Sequence, residues 1–227
     1  MKKLLFWIVL IVGTVVLLGS CAKKEESTTA ATAAADNTTS TDNTTSTTKY
    51  MSTTTTASGS ITMGDDTLSG VYASECLTSA SLIAIFVNAN VWPSEVKAYG
   101  NVFVVTGSDN ISIELYAFTD TSCSNLSLSQ KTVSDNVTVG STSGSNYPVT
   151  YNNQTQALTV HTTAAETALE TLYSNALDFI VGTPIELPVS GSGLKYGLWT
   201  LSGTTWYEAS SSSATPTSAG TVPHVKQ

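Results

Sequence analysis

The sequence predicts a mainly β domain: an antiparallel meander closed into a barrel, with a β-sandwich as the alternative arrangement. Three observations predict it. Apolar and polar residues alternate with period two through several short stretches, the pattern of half-buried strands. Two pairs of such stretches flank short polar turns, as hairpins do. Only one segment, near residues 164–180, carries a helical period instead.

In chain order, Gly70 to Leu77 and Leu82 to Asn88 read as strands. "NVFVVT", Asn101 to Thr106, is joined by Gly107-Ser108-Asp109-Asn110 to "ISIELYAF", Ile111 to Phe118. The second run puts Ile111, Ile113, Leu115 and Ala117 on one face and Ser112, Glu114, Tyr116 and Phe118 on the other. Lys131 to Val139, Tyr147 to Tyr151 and Gln156 to His161 are further strand candidates. In "AAETALETLYSNALDFI", Ala165, Leu169, Leu172, Tyr173, Ala176 and Ile180 share one helical face. Thr162 or Thr163 caps that helix, and Gly182 with Pro184 stops it. "YGLWTL" and "TTWYEA" flank Ser202-Gly203 as a second hairpin. These elements place one domain at residues 61–209, about 150 residues, enough for a core of its own. Residues 210–227, opening on the low-complexity run Ser210 to Gly220, read as a loose tail.

The first 60 residues have a different character. Lys2 and Lys3 precede an uncharged apolar run, Leu4 to Leu18, of signal-peptide length and short of the ~20 residues of a membrane-spanning helix. Residues 1–20 are therefore expected to be a signal peptide. Residues 21–60 are rich in Thr, Ser, Ala and Asn, with Tyr50 and Met51 almost the only large apolar side chains. Such a segment buries too little surface to offset its ordering entropy and is expected to be a disordered tether. As a random coil its ~36 residues from Glu25 to about Ser60 would span roughly 30 to 36 Å.

The tetrad Leu18-Gly19-Ser20-Cys21 resembles the lipobox of bacterial lipoproteins. The resemblance implies cleavage before Cys21, a diacylglycerol on its sulfur and an acyl chain on its nitrogen. Several acyl chains on one residue give stable anchoring. Ala22, in place of the Asp that follows the cysteine in lipoproteins kept in the inner membrane, implies the outer membrane. An ordinary secreted protein cut near Ser20 is the other reading.

"LSGVYASECL", Leu68 to Leu77, and "ELYAFTDTSC", Glu114 to Cys123, resemble small bacterial lipoproteins with lipocalin-like barrels. In those proteins a Gly-aromatic strand ending in Cys is paired with a later Tyr-x-x-x-Asp-x-x-Cys strand end. "YGLWTLSGTTWYEA" resembles the last hairpin of such a barrel. The resemblance implies a lipocalin-like fold and a Cys76–Cys123 pairing. Cysteine counting agrees: with Cys21 lipidated, two of the three cysteines remain, and an even pair in an exported protein favours a disulfide. Two separate buried thiols are the other reading.

Composition excludes more than it assigns. Between residues 61 and 209 stand Lys97, Lys131 and Lys195, no arginine and thirteen acidic side chains. Such a surface argues against nucleic acid and against phosphate recognition. His161 and His224 are the only histidines, and no Gly-x-Ser-x-Gly accompanies them. There is no zinc-spaced Cys/His set and no phosphate loop. Asp65-Asp66 and Asp109-Asn110 lack a calcium-loop spacing. The expectation is a non-enzyme with no cofactor and no metal.

Trp92, Tyr116, Tyr196, Trp199, Trp206 and Tyr207 either line a barrel interior that holds an apolar ligand or fill a closed core. Two functions follow. One is a surface-display or interaction module that works through its loops. The other is a carrier of a small apolar ligand.

Overall fold

The computed structural model describes residues 50–142, 144–189 and 193–227. The expected signal peptide, Cys21 and the tether up to residue 49 lie outside the described residues.

The chain forms an up-and-down barrel. A small hairpin, β1 (Ile61–Met63) and β2 (Asp66–Leu68), comes first. The barrel strands are β3 (Val71–Ala73), β4 (Ala98–Val105), β5 (Ile111–Phe118), β6 (Leu126–Val139), β7 (Asn146–Val160), β9 (Leu194–Ser202), β10 (Thr205–Ser211) and β11 (Pro223–Lys226). Each pairs antiparallel with its neighbour, and β6 also pairs with β7 while β3 pairs with β11. The ring of eight therefore closes, and among the described residues the one other sheet is the β1–β2 hairpin, too small to face it as a sandwich requires. A short strand, β8 (Pro184–Leu187), pairs with the far half of β7, beyond where β9 leaves it.

Both expected hairpins form. β4 and β5 join in register from Val105↔Ile111 to Ala98↔Phe118. β9 and β10 join from Ser202↔Thr205 onward, with Gly203 at φ 60° supplying the left-handed turn.

Two helices cap one end. α1 (Ala80–Asn88) lies between β3 and β4, and α2 (Thr163–Leu172) lies between β7 and β8. The sequence assigned Leu82 to Asn88 to a strand. It is helical because Ile83 and Phe86, three residues apart, both reach the core. A short apolar run does not distinguish the two periods by itself. α2 begins as expected, with the Thr162 hydroxyl accepting from the Ala165 N–H at 3.0 Å. It ends eight residues early. Ser174 and Asn175 both take positive φ, which turns the chain and sends Phe179, rather than Ile180, into the core.

The boundaries of the domain are wider than 61–209. Tyr50 bridges Glu75, and Met51 is buried. Residues 223–226, read as part of a loose tail, are β11, the strand that joins β10 to β3. Without it both neighbours would present open edges.

Candidate functional site

Strand parity assigns each side chain to the inside or the outside of the barrel. The inward side chains form two apolar clusters. The first holds Tyr72, Phe103, Ile111, Val149, Trp199 and Trp206, with Ile61, Met63 and Leu68 of the β1–β2 hairpin closing that end. The second holds Tyr99, Ala117, Leu128 and Val160, closed at the opposite end by Ile83, Phe86 and Trp92 near α1 and by Ala165 and Leu169 of α2.

Trp199, Trp206 and Tyr72 are almost entirely inaccessible, at 0 %, 0 % and 1 % exposure. Trp206 meets Trp199, Tyr72 and Phe103 edge-on, with centroids 5.0, 5.7 and 4.5 Å apart. His224 joins the group from β11, edge-on to Phe103 at 4.7 Å. Its Nδ1 lies 3.3 Å from the Trp206 carbonyl oxygen. Burial pulls its pKa down to about 4, so the ring is neutral at pH 7. Three polar atoms in this group have no hydrogen-bond partner: Trp199 Nε1, Trp206 Nε1 and His224 Nε2.

Between the two clusters the inward set mixes polar and apolar side chains. Cross-strand register places Asn101, Leu115 and Gln130 in one inward row, and Tyr151 opposite Lys195. Asn101, Ile113, Leu115, Gln130, Lys195 and Glu208 are inward yet only half-buried. An inward side chain of a closed barrel is accessible only from a space inside it or from its mouth. Glu208 faces the Tyr151 and Ser210 hydroxyls, and burial raises its carboxyl to about 7. Burial also lowers the Lys195 ammonium, and pushes the Tyr151 phenol up, with Glu208 adding to that rise. Trp199 Nε1 borders this belt. A Cβ on Gly197 would sit 3.0 Å from it and 2.5 Å from Val149 Cγ2.

The six aromatics proposed from sequence as ligand-lining therefore separate. Trp199 and Trp206 come together inside. Trp92 stacks between Phe86 and Tyr99 at the helix end. Tyr116, Tyr196 and Tyr207 point outward, because each has the parity opposite to its inward strand neighbours. Sequence reasoning passed over Glu208, Tyr151 and Lys195, and left His224 in the tail. The alternation in "PHVK" was the available signal for β11.

Outside, residues 50–58 run along β4 and β5, from the Tyr50 bridge to the hydrogen bond between Ser58 N–H and the Val105 carbonyl. The link is Glu114, 4 % exposed. It accepts from the Thr55 hydroxyl and, at 2.5 Å, from the Tyr116 hydroxyl, with Lys131 Nζ 3.9 Å away. Burial and this carboxylate push the Tyr116 phenol up. A recess of about 250 Å³ lies at the start of the strap, lined by Met51, Tyr116, Phe118 and Cys123. Cys76 and Cys123 are bonded, with Cα atoms 5.9 Å apart.

Several other polar side chains have structural partners. Ser129 Oγ lies 2.9 Å from His161 Nε2, but Glu95 serves the Ser127 and Thr162 hydroxyls instead. Asp120 accepts from the Ser122, Ser124 and Asn125 N–H groups, and Asp66 from the Tyr147 hydroxyl. Among the described residues no three His, Cys, Asp or Glu side chains converge. The chain matches no family model and no curated protein.

Proposed function

We propose that this chain is a lipid-anchored protein of the bacterial outer membrane that acts as an interaction module through its outer surface. The observation that carries this reading is the packing of Trp199, Trp206 and Tyr72. The largest inward side chains fill one end of the barrel with each other, and helices and a hairpin cap both ends. The signal-like head, apolar core and Leu-Gly-Ser-Cys tetrad support an anchor at Cys21. Cys21→Ala is expected to abolish fatty-acid labelling and to prevent co-fractionation through the anchor. Continued labelling of that variant would remove the lipoprotein reading.

The half-buried belt around Glu208, Tyr151 and Lys195 favours a second reading, a carrier of a small amphiphile. Native mass spectrometry separates the two. The module predicts the mass of the lipidated polypeptide alone. A stoichiometric small molecule that is lost on Lys195→Ala or Trp199→Phe would support the carrier.

A further inference from the structure

Among the described residues, three large apolar side chains are strongly exposed: Ile85 at 43 %, Ile180 at 55 % and Val181 at 43 %. All three lie at the helix-capped end. Ile85 is on α1, whose buried residues Ile83 and Phe86 belong to the cluster there. Ile180 and Val181 follow Phe179 of the same cluster, and the Gly182 N–H returns to the Val160 carbonyl at the end of β7. The outer side of α1 is otherwise Ala80, Ser81, Ala84 and Asn88, and neither α1 nor residues 179–185 carries a charge.

The chain enters the described structure at this same end. Tyr50 bridges Glu75, close to the Cys76–Cys123 bond, and packs near Phe118 and Leu126, the end of β5 and the start of β6. The strap then runs away from it to the opposite end, where the β1–β2 hairpin and the C-terminal Gln227 also lie. An anchor at Cys21 therefore pulls on the helix-capped end.

We propose that this end rests on the bilayer that holds the Cys21 lipid, with Ile85, Ile180 and Val181 seated among the headgroups. The proposal rests on the lipid-anchor reading above and names the partner of its outer surface. The tether up to residue 49 is long enough to allow this contact as well as a raised position. Acidic side chains of this end, among them Glu75, Glu170 and Asp178, outnumber its lysine, Lys97, which precedes β4 beside the end of β5. Their charge disfavours anionic headgroups and suits zwitterionic ones, whose outermost group is an ammonium. Apolar side chains at the headgroup level, one of them on the uncharged α1, match interfacial seating rather than insertion.

The test is hydrogen exchange of the full lipidated chain on phosphatidylethanolamine–phosphatidylcholine vesicles, beside the same chain carrying Ile85→Asp and Ile180→Asp. Exchange in residues 80–88 and 176–183 is expected to be several-fold slower in the parent, with residues 102–104 of β4 equally protected in both. Added phosphatidylglycerol is expected to weaken the difference. Equal exchange in parent and variant, with both floating on the vesicles, would overturn the orientation and leave the anchor intact. Failure of both to float would overturn the anchor, and the orientation with it. Protection that rises with protein density on the vesicle, or with phosphatidylglycerol, would assign the face to a second copy or to anion binding and so refute the proposal.

Discussion

Trp199 and Trp206 meet edge-on across the β9–β10 hairpin, with ring centroids 5.0 Å apart, and neither exposes any surface. Their quadrupoles favour this geometry, by about 0.5–1.5 kcal/mol beyond the area buried. Trp206 touches more rings than Trp199, so Trp206→Ala is expected to cost about 3–5 kcal/mol. Trp206→Phe should cost less, because it removes an indole N–H that has no partner. Denaturant midpoints of the two variants check the order, and a loss for Trp206→Phe well above that of replacing one buried ring by a smaller one would show that the N–H is satisfied in solution.

Gly197 stands beside that pair with no room for a methyl group. A Cβ there would lie 2.5 Å from Val149 Cγ2 and 3.0 Å from Trp199 Nε1. Gly197→Ala is expected to destabilise by about 1–3 kcal/mol through overpacking. Gly203→Ala tests a different cause. Nothing crowds that position, and only its φ of 60° resists a side chain. The smaller loss is expected there, read by thermal unfolding.

The Cys76–Cys123 bond closes a loop of sequence separation 47. Loop-closure entropy gives it about 4 kcal/mol at most. Its reduction should lower the denaturation midpoint and speed proteolysis near Tyr50 and Met51, which pack beside it. Unchanged resistance after complete reduction would show that the strap alone holds this seam.

Glu208 and His224 should oppose each other in pH. Glu208 has a folded pKa near 7 against an ordinary 4.5. Between those values the folded state binds more protons than the unfolded, so its contribution declines as pH rises. His224 has a folded pKa near 4 against 6.5. Across that window the unfolded state binds more protons, so its contribution grows with pH and is lost as pH falls through about 4. The parent should therefore show a shallow dependence between pH 4.5 and 6.5. Glu208→Gln should uncover a rise in stability over that range, and His224→Phe a fall. Parallel curves for parent and variants would contradict both assignments.

Glu114 is the hinge between strap and barrel. Glu114→Ala leaves Lys131 without its ion pair and the Thr55 and Tyr116 hydroxyls without an acceptor, at about 1–3 kcal/mol for such a loss. Faster amide exchange confined to residues 50–58 is the expected outcome. Exchange accelerated equally through β4 and β5 would mean that the carboxylate holds the sheet rather than the strap.

Local pattern was sufficient for some elements. The period-two run Ile111 to Phe118, the turn at Ser202-Gly203 and the Thr162 cap each act between residues close in sequence, and each stands where the pattern puts it. Local pattern failed where distant contacts decide. Ala98 to Val105 is buried on both faces because residues 50–58 cover its outer side, so its alternation is blurred. Leu82 to Asn88 is helical because Ile83 and Phe86 cap the barrel end. Pro223 to Lys226 is a strand because β3 and β10 leave edges to pair, although its own composition is that of a tail. Which side of each strand faces inward, and hence that Tyr116, Tyr196 and Tyr207 are outside while Glu208 and Lys195 are inside, depends on closing β3 onto β11. The sequence by itself determined the mainly β class, the two hairpins and the onset of α2. Only the tertiary structure decided closure, the strap and the inward set, because these rest on pairings between residues far apart in the chain, which no local period records.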